Sequence, residues 1–99
     1  MGITYLELKV ANPAKPKNAK IVQFLVDSGA VYSVVQAMHL KKLGIKSHSK
    51  KTFTLADGTA ISRDVGDALF EFEGHRGASP VIFGKTDDSN LLGMVTLEA

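Results

Sequence analysis

The chain has 99 residues, 44% of them hydrophobic, no cysteine, and a formal net charge of +2 at pH 7. That length makes one domain with a modest core, burying about 60–65% of its unfolded surface. The composition excludes disulfides and thiolate metal sites, and no apolar run is long enough to span a membrane as a helix. Glu7 and Lys9 interrupt the first apolar segment, so no signal peptide is expected. The lack of cysteine fits a cytoplasmic location. Lysines cluster at Lys15, Lys17 and Lys20 and again at Lys41, Lys42, Lys46, Lys50 and Lys51. Neither cluster is interleaved with aromatics, so both read as solvated faces and no nucleic-acid partner is expected. No membrane partner is expected either.

In chain order, Thr4 to Val10 alternates, with Leu6, Leu8 and Val10 facing one way and Tyr5, Glu7 and Lys9 the other: a half-buried strand. Asn12 to Asn18 holds two prolines and reads as a loop. Ile21 to Val26 is a buried strand that ends in Asp27-Ser28-Gly29-Ala30. An acid at the end of such a strand is costly unless it is hydrogen-bonded, paired or used. Ser28 can donate to that carboxylate or tie the turn, and Gly29 permits φ > 0 and a close approach. Ser33-Val34-Val35-Gln36 matches a capping box and predicts a helix from Val34 to about Leu43. Its apolar face would be Val35, Met38, Leu40 and Leu43, its stop Gly44.

Thr52 to Leu55 and Thr59 to Val65 flank Asp57-Gly58, a strong hairpin signal. Ala68, Phe70 and Phe72 alternate with Leu69, Glu71 and Glu73 as another half-buried strand, and Gly74 to Gly77 turns it. Pro80 to Phe83 is a short apolar strand, Lys85 to Asn90 a polar loop, and a helix begins at Met94 after Leu91-Leu92-Gly93. The predicted fold class is all-β, a small closed barrel or sandwich of hairpins with one or two short helices.

Asp-Ser-Gly alone is ordinary turn chemistry. Preceded by a buried strand and followed late in the chain by Leu91-Leu92-Gly93, it resembles the retropepsin-like aspartic peptidases. Gly74-His75-Arg76-Gly77 with Val81-Ile82-Phe83-Gly84 looks like the late strands of retroviral proteases. The nearest likeness is to the small single-domain prokaryotic members, with their Asn12-Pro13 loop, Ala56-Asp57-Gly58 hairpin, Pro80 to Gly84 strand and Leu-Leu-Gly motif. The resemblance covers nearly the whole chain, residues 1–99, as one acid-protease barrel whose hairpin is a flap over the substrate. It implies an aspartic endopeptidase without cofactor or metal, with Asp27 catalytic and Ser28, Gly29 and Ala30 as its loop. Val31, Tyr32, Asp57, Gly58 and Leu91 would meet a peptide or unfolded protein substrate.

That chemistry needs two carboxylates sharing one proton, and this chain has one Asp-Ser-Gly. The nearest second copy, Asp88-Ser89-Asn90, lacks the glycine. A homodimer is therefore expected, with Asp27 beside its twin on a two-fold axis and Ser28 bonding across it. The sequence departs from the retroviral pattern in three ways: Asp57 at the flap tip, Met94 where an arginine is usual, and an end at Ala99 inside the last helix, as a C-terminally truncated domain would have. The polar tip and short end favour the alternative, a catalytically silent module that binds peptides or dimerises. Ser28 lies in no Gly-x-Ser-x-Gly elbow, and His39, His48 and His75 have no zinc-ligand spacing.

Overall fold

The computed structural model describes residues 3–54 and 57–98. Among these, β1 (Tyr5–Asn12), β2 (Lys15–Val26), β3 (Ser33–Gln36), β4 (Ser49–Thr54), β5 (Ala60–Phe72), β6 (His75–Gly84) and β7 (Leu91–Leu92) are strands. Two short helices, α1 (Ala37–Lys42) and α2 (Met94–Leu97), complete the set. The strands form one sheet in the order β1-β2-β7-β3-β6-β5-β4, and β1 also pairs with β5. That extra pairing, Lys9↔Glu71 to Ala11↔Leu69, closes six strands into a barrel and leaves β4 as an arm on β5. The all-β barrel with a projecting hairpin is the predicted class.

The interior follows from period-2 alternation. Leu8 and Val10 of β1, Val22 and Phe24 of β2, Val35 of β3, Ala68 and Phe70 of β5, Val81 and Phe83 of β6 and Leu92 of β7 form the core, with Leu40, Leu43 and Ile45 from the α1 region. The Phe24 and Phe70 rings meet with centroids 6.0 Å apart. Each fully buried side chain of this kind contributes about 1.5–3 kcal/mol.

Several predicted boundaries move. The helix expected from Val34 begins at Ala37, because Ser33–Gln36 is the strand β3, parallel to β6 through Ser33↔Val81 to Gln36↔Gly84. Two consecutive β-branched valines suit a central strand better than a helix start. Ser33 does not cap: its hydroxyl accepts the Gly93 amide at 2.9 Å. Met38 points to solvent, 51% exposed, and not to the core. The loop expected over Asn12–Asn18 shrinks to Pro13 and Ala14, since β2 starts at Lys15. The ladder jumps from Ala11↔Ala19 to Asn12↔Lys15, so Pro16 falls in the irregular stretch where no ladder bond is required of it.

The turn expected over Gly74–Gly77 is tighter. Glu73 (φ 50°) and Gly74 (φ 84°) make a two-residue connection with both φ positive, and His75 already pairs with Phe72. The short strand at Pro80 thus becomes the ten-residue β6. The strands expected before and after Gly66 are one, β5. Leu55, predicted to end the first hairpin strand, and Ala56 and Ala99 lie outside the described residues.

Candidate active site

Strand β2 delivers Asp27 to the middle of the sheet because β7 inserts beside it. Leu25↔Leu91 and Val26↔Leu92 pair in parallel, while Val34↔Leu91 ties β7 to β3. The two loops that the sequence sets 64 residues apart, counted from Asp27 to Leu91, are therefore neighbours. The Asp27 amide donates to the Leu92 carbonyl at 3.1 Å. Asp27 Oδ1 accepts the Gly29 amide at 2.9 Å, and the Ala30 amide closes the turn on the Asp27 carbonyl at 3.1 Å. Among the described residues no other hydrogen-bond donor reaches this half-buried carboxylate. The donor is the Gly29 amide and not the Ser28 hydroxyl, which is exposed. Gly29 is not left-handed; its value is space, since a Cβ there would lie 3.3 Å from Asp27 Oδ1.

The second loop locks onto the first at Gly93. A Cβ on Gly93 would meet the carbonyl carbon and oxygen of Tyr32 at 2.5 Å, closer than real Cβ atoms come, so only glycine fits. The first amides of α2 are satisfied by the first loop. Met94 donates to the Ala30 carbonyl at 2.9 Å and Val95 to the Val31 carbonyl at 3.0 Å.

Beside the Asp27 turn opens a groove of about 770 Å³. Gly29, Ala30, Val31, Tyr32 and Leu91 line it, five of the residues singled out from the sequence. Val34, Phe53, Ile61, Arg63, Ile82 and Asp88 also line it, and sequence reading had not found these. Asp57 and Gly58 are not among the lining residues: they stand exposed at the hairpin tip. There the Thr59 amide donates to Asp57 Oδ1 at 2.9 Å and holds that carboxyl below its ordinary range, so the tip is anionic at neutral pH.

The hairpin overhangs the groove with one face. Phe53↔Ile61 and Lys51↔Arg63 are direct cross-strand pairs, so all four side chains share that face. The two cations each reach a residue that lines the groove. Lys51 Nζ donates to the Tyr32 hydroxyl at 3.0 Å and sits 4.8 Å from its ring centroid. Arg63 Nε meets Asp88 Oδ2 at 3.4 Å, and the same oxygen accepts the Lys85 amide at 2.8 Å. The signal for Phe53 and Ile61 was present in the alternation, but it depends on register. A two-residue turn at Asp57-Gly58 would set Phe53 opposite Ser62; the observed ladder ends at Thr54↔Ala60 and shifts the pairing by one. Among the described residues no cluster of His, Asp and Glu suits a metal ion.

A family model described as "gag-polyprotein putative aspartyl protease" matches residues 17–99. The chain belongs to that family. Its fold is similar to that of EIAV protease complexed with the inhibitor HBY-793, with a TM-score of 0.67 at 15% identity over 93% of this chain and 82% of that one. It is also similar to a retropepsin-like aspartic protease from Rickettsia conorii, with a TM-score of 0.55 at 26% identity over 98% of this chain and 78% of that one. No curated protein matches the sequence. The chain is thus a retropepsin-like aspartic peptidase by family and fold, with the sequence likeness greater to the bacterial relative than to the viral one. In this retropepsin-like chain the acid-serine-glycine turn and the Leu-Leu-Gly segment are the pair of loops at the head of the groove.

Proposed function

We propose that the protein is an aspartic endopeptidase that hydrolyses peptide or unfolded protein substrates, with Asp27 as its catalytic carboxylate. The carrying observation is the Asp27 turn itself. The Gly29 amide holds a half-buried carboxylate, and the Leu92 carbonyl holds the Asp27 backbone amide, beside an apolar groove. One carboxylate is half of the machinery, so the working unit is a homodimer in which Asp27 faces its twin. Two such acids about 3 Å apart cannot both ionise, and the pair shares one proton. The ionised member takes a proton from water, the water attacks the scissile carbonyl, and the protonated member stabilises the oxyanion and passes its proton on. Ser28, exposed beside the axis, bonds the two loops to each other.

Two features support the dimer. Exposed apolar side chains gather next to the Asp27 loop: Ile3 and Tyr5 at the strand whose Thr4 carbonyl holds the Val26 amide, and Val95 and Leu97 on α2. The family membership supports it from the other side, since a second acid of the same motif is absent from the sequence. The groove's lining by Val31, Ile61, Ile82 and Leu91 suits apolar side chains of an extended peptide.

The test is Asp27→Asn. The amide oxygen keeps the acceptor for the Gly29 N–H, so the fold and thermal stability stay as in wild type. Cleavage of an unfolded protein at mildly acidic pH falls by about 10²–10⁴-fold. Undiminished cleavage by the variant would remove Asp27 from the chemistry.

A further inference from the structure

Behind the Asp27 loop three hydroxyls lie buried in a row. Ser33 is 0%, Ser79 2% and Thr96 8% exposed. They come from three elements, β3, β6 and α2. Ser33 Oγ is 2.5 Å from Thr96 Oγ1, Thr96 Oγ1 is 2.8 Å from Ser79 Oγ, and Ser79 Oγ donates to the Pro80 carbonyl at 3.2 Å. At the other end Ser33 Oγ accepts the Gly93 amide at 2.9 Å.

The two ends fix every proton between them. A carbonyl only accepts, so the Ser79 proton goes to Pro80. Each hydroxyl has one proton to give. The Ser79–Thr96 contact must then use the Thr96 proton, and the Ser33–Thr96 contact the Ser33 proton. Ser33 keeps a lone pair for the Gly93 N–H, which can only donate. The chain runs one way, Gly93 to Ser33 to Thr96 to Ser79 to Pro80, with each bond polarising the next in a region shut off from water.

The peptide at its head has a second role. The Gly93 N–H and the Leu92 carbonyl belong to one planar unit, and the Leu92 carbonyl is the acceptor for the Asp27 amide. One edge of that plane is anchored by Ser33 and the other holds the Asp27 backbone. We propose that the Ser33–Thr96–Ser79 hydroxyl chain is a positioning device for Asp27, acting through the Leu92–Gly93 peptide, with Thr96 as its central link. The proposal rests on the reading of Asp27 as the catalytic acid for its effect on turnover, but not for its effect on the loop.

Thr96→Val tests it. The substitution keeps the shape, removes the middle hydroxyl, and leaves Ser33 without an acceptor and Ser79 without a donor. Hydrogen exchange at the Asp27 and Gly93 amides rises about tenfold relative to amides of β1 and β5, as expected for loss of a buried partner. On a peptide substrate kcat falls by a similar factor with KM within about twofold, because the acid is displaced and the groove is not. Thr96→Ser restores the oxygen and recovers both readouts. Should Thr96→Val fail to fold, Ser79→Ala, which removes only the last link, is read in the same way. Unchanged exchange at Asp27 and Gly93 in a folded variant lacking the chain overturns the proposal, as does a kcat loss that Thr96→Ser leaves in place. If the wild type cleaves nothing, the peptidase reading falls and the exchange ratio alone decides the positioning role.

Discussion

His39 shows how a single residue writes pH dependence into the fold. It lies on α1 with Nδ1 buried and, among the described residues, without a hydrogen-bond partner. Burial lowers its pKa below the ordinary 6.5, and the Lys20 and Lys42 cations lower it further. Physically, the neutral ring with its proton on Nε2 hides a lone pair, whereas the imidazolium would hide an N–H with nothing to bond. The folded-state value is depressed, so the unfolded chain binds the proton more readily. The stabilisation is complete above 6.5 and is lost as pH falls through the folded value. Urea unfolding at pH 7.5 and 5.5 will show lower stability at the acid end, and His39→Gln will reduce that difference. An identical difference in the two proteins would clear His39 of any part in it.

At the scale of elements, the β4–β5 hairpin is the part that the proposed function would use as a flap. Its strand β4 lies outside the six-stranded barrel, and the hairpin is tied to the groove by the Lys51–Tyr32 and Arg63–Asp88 contacts. The Arg63 side chain is 15% exposed and that of Asp88 33%, so solvent weakens the pair only in part. Contacts of this kind contribute about 0.5–1 kcal/mol each. The double variant Lys51→Ala, Arg63→Ala will therefore raise amide exchange in the hairpin ladder by about five- to thirtyfold and leave the barrel unchanged. A peptide-like inhibitor seated in the groove will slow the same amides in wild type, because Phe53 and Ile61 form its roof. Exchange unaffected by a bound active-site inhibitor would show that the hairpin is not a flap.

At the scale of the whole molecule, one chain offers one acid-serine-glycine turn, and the proposed chemistry requires two. Activity then belongs to the dimer and rises faster than linearly with protein concentration until association saturates. Obligate interfaces commonly bury more than about 2,000 Å² in total. Two copies of the Asp27 loop alone fall short of that area, so a weak dimer is expected. Sedimentation alongside an activity titration measures both curves. A monomer with full specific activity at every concentration overturns the shared site.

The sequence by itself determined much of the barrel's interior and the two motifs that the fold brings together. Alternation at Leu8 and Val10, or at Ala68 and Phe70, is a local property of the pleat, and the inward residues are buried as it requires. Asp27-Ser28-Gly29 and Leu91-Leu92-Gly93 were legible as paired motifs because strand-end acids and obligatory glycines carry their reasons with them. Tertiary structure decided where local signals competed. Ser33 to Gln36 satisfies a capping box, yet the ladder with β6 and the buried hydroxyl chain outweigh one cap, and the segment is a strand. The groove's roof was hidden for a different reason: a one-residue change in hairpin register exchanges the faces of β4 and β5, and composition cannot report register. The long-range partner of the Asp27 amide, a carbonyl 65 residues on, and the hydroxyl that accepts the next amide exist only once β7 lies between β2 and β3.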